Sequence, residues 1–396
     1  MRSLITYLGF EYEVSEDVLV TGSLITHRRR TLRERAALRR KAWVYPRPRE
    51  WFEEIYRNRN LEALWKKHFR VTRDTFDYIC QLIEGDLQKE DTRLRKAVPV
   101  YKRVAVALWR LGSGNSYRTT GITFGLGKST VIKICNEFPR AIIRRKDVFI
   151  KFPVDEEDVT LAIRRMKSIA GLPNVIGAID GSHVQIKAPK TCHEDYFNRK
   201  QNYSINLQGT VDRTGMFIEV STGWPGSMHD ARVLRLSSLY RKATNGEILS
   251  EPEKSIEGIA VRPLLLGDSA YPLLSWLIGP YPQSATLTRD QARFNKAMNK
   301  SRVVVERAFG KLKCRWRCLL KVLEEGTGKV PLAILACCIL HNICLLRGDA
   351  LENDESDDDD DDDDGDGGSA PLPPGLNANA QGRLVRQALT DFLANN

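Results

Sequence analysis

Residues 203–222 read YSINLQGTVDRTGMFIEVST, and this stretch decides the fold class of the chain. From Tyr203 to Asp212 apolar and polar side chains alternate strictly, which is the period of a β-strand. A turn at Thr214–Gly215 is followed by a second apolar run over Met216–Thr222. The stretch therefore predicts two antiparallel strands joined by a tight turn.

Short apolar runs of another kind lie on both sides of this hairpin. Val175–Ile179 is followed by Asp180, and Leu264–Gly267 is followed by Asp268. Uninterrupted short apolar runs between turn formers are typical of strands that are buried on both faces of a sheet. The sequence therefore predicts an α/β domain in which each of these aspartates stands at the end of a buried strand.

Helices are predicted around these strands. One begins near Met228, and another, over Ser301–Leu320, carries apolar residues at helical spacing from Val305 to Leu319. Pro331–Leu345 is apolar throughout and predicts a buried helix. It is shorter than the roughly 20 residues that a membrane span requires, so no membrane association is expected.

The chain before the α/β domain has the period of helices. Val71–Leu82 and Tyr101–Leu111 each carry apolar residues on one face. Tyr117–Phe124, a glycine turn at 125–127 and a second helix from Ser129 together resemble a helix-turn-helix. A plain helical bundle is the alternative interpretation.

A helix-turn-helix presents its second helix to a DNA groove. The side chains in that position are Lys128, Lys133 and Asn136. We therefore expect residues 61–150 to form an all-α, helix-turn-helix-like DNA-binding region, with Lys128 and Lys133 as DNA contacts.

Charge is distributed unevenly along the chain. There are 61 basic and 50 acidic residues, and thirteen of the acids lie between Asp349 and Asp366. The rest of the chain holds 61 basic and 37 acidic side chains. This basic surplus predicts a polyanionic partner, and nucleic acid is the first candidate. A solvated basic surface is the alternative.

Both termini are biased in composition. Residues 1–60 form a basic arm with ten Lys or Arg residues between 28 and 49, which fits phosphate binding, a nuclear-import address or a solvated helical surface. Residues 348–396 begin as an acidic linker that is too poor in apolar residues to fold, and Arg383–Leu393 predicts a short amphipathic helix after it. Eight cysteines without a secretory signal favour a reduced intracellular compartment.

Three acids stand where metal-ion catalysis needs them. Asp180 and Asp268 end buried strands, and Glu306 lies beside the apolar stripe of a helix that can pack on them. Two like charges 4 Å apart repel by roughly 4 kcal/mol at an effective dielectric near 20, and Mg²⁺ or Mn²⁺ relieves this repulsion. Two such ions about 3.5 to 4 Å apart could activate a water or a 3′-hydroxyl for phosphodiester cleavage.

Each acid also has a structural explanation. Asp180 fits a turn, Asp268 fits a cap after its strand, and Glu306 fits a solvated helix position. Asp230 follows Ser227 by three residues, which matches a capping box at a helix start.

Other side chains near these acids have two interpretations. The basic residues of the glutamate helix fit a DNA-facing wall or a solvated face, and they include Arg302, Arg307 and Lys311. His183 and His229 could position a phosphate or protonate a leaving group, with ordinary hydrogen bonding as the alternative. A zinc site is disfavoured because most of its candidate ligands lie in one apolar helix: Cys337, Cys338, His341 and Cys344.

Five ordered blocks of sequence resemble a known family. They are GAIDGSH at 177–183, PGSMHDAR at 225–232, GDSAYP at 267–272, VERAFG at 305–310 and LHN at 340–342. In this order they resemble the Harbinger (PIF) transposase superfamily and the domesticated nucleases derived from it. The resemblance spans about 173–347, and a weaker similarity covers the preceding helical region.

The resemblance implies a ribonuclease H-like mixed sheet flanked by helices over 165–347, and divalent-metal-dependent cleavage of DNA by a DDE triad. By position, Asp180 and Asp268 are the two aspartates and Glu306 is the glutamate of that triad. Asp230 falls on a fourth acid that the family places near the metal, Mg²⁺ or Mn²⁺. All four carboxylates are retained in this chain.

The resemblance also implies partners. DNA is the expected substrate. A Myb-like companion protein is expected to assist nuclear entry and recognition of DNA ends. Assembly into a homo-oligomer is a further possibility. We expect the protein in the nucleus and also in the cytoplasm. A non-catalytic DNA-binding or scaffold protein that keeps the fold is the rival interpretation, and retention of Asp180, Asp268 and Glu306 favours the enzyme.

Overall fold

The computed structural model describes residues 50–93, 96–282, 286–350 and 380–396, together with the backbone of 4–7 and 10–13. The chain divides into two compact units, Met1–Pro48 and Arg49–Asn396. In the first unit, strands β1 (Leu4–Tyr7) and β2 (Phe10–Glu13) pair in antiparallel fashion. The basic stretch at 28–49 and the acidic linker at 351–379 lie outside the described residues.

Helices make up the described chain from residue 50 to residue 149. They are α1 (Glu50–Arg57), α2 (Glu62–Phe69), α3 (Arg73–Leu82), α4 (Glu84–Leu87), α5 (Val100–Ser113), α6 (Tyr117–Thr123), α7 (Lys128–Ile143) and α8 (Lys146–Phe149). The predicted helices over Val71–Leu82 and Tyr101–Leu111 are confirmed as α3 and α5. The first of them begins after Thr72, whose side chain accepts a hydrogen bond from the N–H of Thr75 and so caps the helix.

Large aromatic side chains form the centre of this helical region. Phe52, Trp65, Phe69, Phe76 and Phe124 are all buried. The rings of Phe52 and Phe124 lie 5.2 Å apart, and those of Trp65 and Phe69 lie 4.3 Å apart. Buried aromatic area of this size dominates core energetics, so these helices are held by tertiary packing rather than by intrinsic propensity.

Helices α6 and α7 form the predicted pair of helices around a glycine turn. Gly125 has a φ of +65°, and the N–H of Leu126 donates to the carbonyl of Gly121 at 2.8 Å. A Cβ at Gly121 would lie 2.8 Å from the carbonyl oxygen of Leu126, so glycine is needed for this close approach. The two helices and their turn are confirmed; a role in DNA binding stays a prediction.

A five-stranded mixed sheet follows. Its strands are β3 (Val175–Gln185), β4 (Ser204–Val211), β5 (Phe217–Pro225), β8 (Leu264–Leu266) and β9 (Leu277–Ile278), in the order β5-β4-β3-β8-β9. The first three strands are antiparallel neighbours, and β3, β8 and β9 are parallel. The predicted α/β class with a mixed sheet flanked by helices is therefore confirmed.

Two strands run further than their sequence predicts. Strand β3 continues through Asp180 and Gly181, because both residues pair with β4. The prediction that Asp180 ends its strand is therefore wrong. Strand β5 continues to Pro225, past a shift in register beside Gly223, whose φ of +106° suits a bulge.

Helices and a small ribbon surround the sheet. They are α9 (Glu156–Ala170), α10 (Asp230–Leu236), α11 (Ser238–Thr244), the ribbon of β6 (Lys254–Ile256) and β7 (Ile259–Val261), α12 (Arg289–Arg315), α13 (Val330–Leu346) and α14 (Ala380–Asn395). Among the described residues, none of the helices combines the length and the apolar character that crossing a bilayer requires.

Helix α12 differs from its predicted span of Ser301–Leu320. It begins twelve residues earlier because Thr288 and Gln291 form a capping box, in which each side chain pairs with the other residue's backbone N–H. The α-helix ends at Arg315, and Arg317–Leu320 forms a 3₁₀ turn.

Helix α13 is buried as predicted and fastens the sheet to the helical region. It packs against α7 and against β5. The side chain of Asn342, which is fully buried, accepts from the N–H of Phe217 at 2.9 Å and donates to the carbonyls of Phe149 and Phe217 at 2.8 and 2.7 Å. His341 bonds the carbonyl of Gly215 through Nε2 at 3.1 Å. The LHN block is thus a structural element.

The chain ends in the predicted amphipathic helix, α14. Val385 and Leu389 are buried where α14 packs on α12. The Arg386 guanidinium lies 4.1 Å from the centre of the Tyr281 ring, and its Nη1 donates to the carbonyl of Pro280 at 2.9 Å. Asp349, just before the acidic linker, is buried against Arg315. The described residues before the linker and those of α14 after it therefore both pack on other helices.

Candidate functional site

The sheet brings two of the candidate acids to neighbouring positions. Strands β3 and β8 are parallel, and Ala178 pairs with Leu266. Asp180 and Asp268 each follow that pair by two residues, so they lie side by side at the same edge. The N–H of Gly181 donates to Asp180 Oδ1 at 2.7 Å, and the Asp268 carboxylate accepts from the N–H of Ala270 at 3.0 Å.

A third carboxylate lies directly over strand β3. Asp230 begins α10, and a Cβ added at Gly181 would lie 2.9 Å from its Cγ. Glycine at 181 therefore leaves the space that the Asp230 carboxylate fills. The predicted capping box at Ser227 is wrong, because the cap residue of α10 is His229 and no side chain caps the helix. A capping box therefore does not explain the acid at position 230.

The three aspartates share one electrostatic environment. Burial, with contributions from Asp268 and Asp230, raises the pKa of Asp180 to about 7 against the opposing effect of Arg302. Burial and Asp268 raise the pKa of Asp230 to about 6, while Arg199 lowers it. Burial is the main cause of both shifts, and repulsion between the neighbouring carboxylates adds to it.

Arg302 lies among the acids. Its Nη2 is 3.6 Å from Asp180 Oδ2 and 3.7 Å from Glu306 Oε1, and its side chain is only 12% exposed. Its Nε atom is buried without a hydrogen-bond partner. The sequence predicts Arg302 on a DNA-facing wall or a solvated face, whereas in the structure it lies between Asp180 and Glu306.

Glu306 occupies the outer side of this cluster. It is 54% exposed, and the guanidinium of Arg302 lies between it and Asp180. Among the described residues, no three His, Cys, Asp or Glu side chains converge closely enough to form a metal-binding group. The predicted four-acid set is therefore assembled as three neighbouring aspartates plus a glutamate joined to them through Arg302.

Polar side chains of β4 hydrogen-bond the segments that carry two of the aspartates. Ser204, Asn206 and Gln208 are almost completely buried. Nδ2 of Asn206 donates to the carbonyl of Met228 at 2.8 Å, and Nε2 of Gln208 donates to the hydroxyl of Tyr271 at 3.0 Å. These bonds position the two loops that carry Asp230 and Asp268. Sequence analysis missed both amides, although their strict alternation in β4 was the available signal.

The two candidate histidines have different surroundings. His183 Nδ1 lies 3.0 Å from Ser204 Oγ, and partial burial, with Lys313 and Lys200 nearby, lowers its pKa to about 4. The His183 ring is therefore neutral at pH 7, and its Nδ1 can accept a hydrogen bond from the hydroxyl of Ser204. His229 is exposed and accepts a hydrogen bond from Arg199.

Comparison with known proteins bears on this cluster. The model of the DDE superfamily endonuclease family matches residues 179–342, which include all four acids. The protein Antagonist of Like Heterochromatin Protein 1 of Arabidopsis thaliana is 36% identical over 298 residues, covering 73% of this chain and 75% of its own. The chain belongs to the DDE endonuclease superfamily, in its Harbinger-derived branch.

Two further relatives of this DDE protein extend the comparison. The mouse protein HARBI1, which is named as a candidate nuclease, is 34% identical over 274 residues, covering 68% of this chain and 74% of its own. A probable transposase of insertion sequence IS702 from Microchaete diplosiphon is 22% identical over 63% of this chain and 83% of its own. No solved structure matches the chain.

The remaining predicted DNA contacts of this DDE protein lie on two helices. Lys128 and Lys133 are exposed on α7, where Lys133 is 4.0 Å from Glu137. Arg307 is exposed and Lys311 half-buried on α12. Asn136 is half-buried and lines a cavity between α5, α7 and α13, and its contact with a DNA groove stays a prediction.

The cysteines of α13 are packed as core residues. Cys337 and Cys338 are fully buried, and burial raises the pKa of both thiols. A zinc ligand must be a thiolate, so this burial agrees with the interpretation of these cysteines as core side chains.

Proposed function

We propose that this DDE-superfamily protein is a divalent-metal-dependent DNA endonuclease of Harbinger type with a ribonuclease H-like catalytic domain. The observation that carries the proposal is the cluster of Asp180, Asp230 and Asp268 at one edge of a mixed sheet. A merely structural cluster of like charges is destabilising, whereas a cation site needs one. Burial and repulsion between the carboxylates raise the pKa of Asp180 and of Asp230, which is the environment that a bound cation would relieve.

The donor set fits Mg²⁺ or Mn²⁺. Carboxylate oxygens are the ligands that hard divalent ions prefer, and Asp180, Asp230 and Asp268 would hold the ions, with Glu306 completing the set. A pair of bound ions supplies activation of a water or 3′-hydroxyl and stabilises the leaving oxygen in phosphodiester cleavage.

The protein's own side chains prepare this arrangement. Arg302 holds Asp180 and Glu306 in position and supplies one balancing charge. The Gln208–Tyr271 bond and the Asn206–Met228 bond fix the loops of Asp268 and Asp230. Because these supports are buried, the backbone segments that carry Asp230 and Asp268 are held in place on the sheet.

DNA is the proposed substrate. The names of HARBI1 and of the IS702 protein describe a candidate nuclease and a probable transposase, both of which act on nucleic acid. The basic surplus of the chain and the lysines of α7 support binding to phosphates. Transposition, domestication, a Myb-like companion and the nuclear and cytoplasmic location remain proposals that rest on the family resemblance.

The test is nicking of supercoiled plasmid by the purified full chain. Wild type is compared with Asp180→Asn and Glu306→Gln in Mg²⁺, in Mn²⁺ and in EDTA. We expect metal-dependent nicking by wild type and a loss of at least about 10²-fold in both variants. Nicking that persists in EDTA or in Asp180→Asn would overturn the proposal.

A second candidate is a DNA-binding or scaffold protein that keeps the fold without catalysis. The position of Arg302 between Asp180 and Glu306 favours it, because the guanidinium takes the space between two predicted ligands. The Arabidopsis relative is named as an antagonist of a heterochromatin protein, not as a nuclease. DNA binding by wild type without nicking in any metal would select this candidate.

A further inference from the structure

A tight hairpin projects beside the aspartate cluster. Phe197 and Tyr203 form an isolated antiparallel bridge, and the N–H of Asn198 donates to the carbonyl of Asn202 at 2.9 Å. Gln201 has a φ of +59°, which closes the turn. We name residues 197–203 the Phe197 hairpin.

The Phe197 hairpin is fastened to the catalytic sheet. Nδ2 of Asn198 donates to Ser204 Oγ at 2.9 Å, and Ser204 in turn contacts His183 of β3. The Oδ1 atom of Asn198 accepts from the N–H of Asn202 at 3.1 Å. Asn198 is itself buried, so the hairpin is held in one conformation relative to the carboxylates.

Cations gather where the hairpin meets α12. Lys313 donates from Nζ to the carbonyl of His183 at 3.1 Å, and burial and Lys200 both lower the pKa of Lys313. Among the ion pairs in the described part of the chain, none pairs Lys200 or Lys313 with a carboxylate. Two lysines that repel each other without an acidic partner form a site for an anion.

A third cation lies on the other side of the hairpin. Arg199 donates a hydrogen bond to His229, the residue that directly precedes Asp230. The cations of the hairpin therefore extend from the Asp230 side of the site to Lys313. This is the path that a phosphate backbone entering the carboxylate cluster would follow.

An aromatic ring stands among these charges. Phe197 is 44% exposed, and the nearest ring, that of Tyr203, is 5.3 Å away and tilted by 59° rather than stacked. One face of an exposed aromatic side chain beside basic residues is the arrangement on which unpaired bases stack. Bases in an undistorted duplex already stack on their neighbours and present only their edges, so such a ring favours separated strands, whose bases need no unstacking.

We propose that the Phe197 hairpin and Lys313 bind single-stranded DNA beside the carboxylates, with phosphates on Lys200 and Lys313 and an unpaired base on Phe197. This inference deepens the proposed function and rests on it. It assigns the site a preference for DNA whose strands are separated next to the cleaved bond.

The test measures binding in EDTA, so that it does not depend on cleavage. Fluorescence anisotropy compares a blunt duplex with the same duplex carrying a six-nucleotide 3′ single-stranded extension. Wild type should bind the extended duplex at least about tenfold more tightly. Phe197→Ala should lose this preference while keeping its affinity for the blunt duplex, and Phe197→Trp should retain it.

Variants of the lysines test the phosphate contacts. Lys200→Gln and Lys313→Gln should each weaken binding of the extended duplex and lower the slope of affinity against salt by about one. Lys254→Gln, which removes an exposed lysine of strand β6, is the matched control and should bind like wild type. Thermal melts establish that every variant is folded.

The outcomes separate this inference from the proposed function. Equal affinity of wild type for both duplexes, or an unchanged preference in folded Phe197→Ala, would overturn the inference even if wild type nicks plasmid. A preference that depends on Phe197 and both lysines would support the inference, and absence of nicking by that same protein would then overturn only the proposed function.

Discussion

The guanidinium of Arg302 lies 3.6 Å from the carboxylate of Asp180, and it joins the long helix α12 to the middle strand of the sheet. Glu306 is one helical turn further along α12 and contacts the same guanidinium. Arg302 therefore contacts two of the four acids, Asp180 and Glu306. Its charge competes with a divalent ion for the same oxygens.

Removal of this charge should strengthen metal binding. Arg302→Gln takes a cation away from the oxygens of Asp180 and Glu306, so we expect Mn²⁺ to bind about three- to tenfold more tightly at pH 8 by calorimetry. Lys300→Gln, on the same helix and exposed, is the matched control and should change affinity less than twofold. Weaker Mn²⁺ binding by Arg302→Gln would contradict the competition between guanidinium and metal.

Asp180 should destabilise the metal-free protein above neutral pH. Its folded pKa of about 7 exceeds the ordinary value of 3.8, so the folded state holds the proton more tightly than the unfolded state. Stability should therefore fall as pH rises from about 4 to about 7. In EDTA at pH 8, Asp180→Asn should raise the free energy of unfolding by about 1–4 kcal/mol.

Chemical denaturation at pH 4 and at pH 8 measures this difference. At pH 4 both proteins carry a neutral group at position 180, so their stabilities should converge. Addition of Mn²⁺ at pH 8 should stabilise wild type and leave Asp180→Asn nearly unchanged. A wild type that is more stable than Asp180→Asn at pH 8 in EDTA would contradict the prediction that ionised Asp180 destabilises the folded state.

Gly181 should be needed for the position of Asp230. A Cβ there would lie 2.9 Å from Cγ of Asp230, so Gly181→Ala should displace that carboxylate and reduce nicking at least about 10²-fold. No atom lies within 4 Å of a Cβ added at Gly310, and Gly310→Ala should keep activity and add about 0.5–1 kcal/mol of helix stability. Full activity in Gly181→Ala would contradict the requirement for glycine beside Asp230.

Asn342 should matter for stability and not for metal binding. Asn342→Leu leaves the N–H of Phe217 and the carbonyl of Phe149 buried without partners, which should cost about 3 kcal/mol in urea denaturation. Asn299→Leu, an exposed position on α12, should change stability by less than about 0.5 kcal/mol. Equal stability of the two variants would argue against this account of the LHN block.

The sheet could be predicted from the sequence because its strands have simple patterns. Strict alternation over Tyr203–Asp212 predicts β4, and the apolar runs before Asp180 and Asp268 predict two buried strands, which the structure shows to be parallel neighbours. The paired acids follow from that arrangement alone. Asp180 was nevertheless placed at a strand end, since the Asp-Gly pair is typical of turns, whereas β4 pairs with both residues and holds them in the sheet.

The contacts that hold the carboxylates in place could not be predicted from such patterns. Alternation shows that Asn206 and Gln208 share a face of β4, but it does not show whether that face meets water or two functional loops. The proximity of Arg302 to Glu306 in the sequence favours a DNA-facing surface, with a solvated helix face as the alternative. Its spacing of four from Glu306 was the signal for an ion pair, and only the packing of α12 on β3 reveals that Asp180 joins it.

The most direct measurement is plasmid nicking by wild type and Asp180→Asn in Mn²⁺, with Asp290→Asn as a control that removes an exposed acid on α12. We expect wild type and Asp290→Asn to nick at equal rates in Mn²⁺ and not in EDTA, and Asp180→Asn not to nick. Equal nicking by all three proteins would contradict the assignment of catalysis to the aspartate cluster.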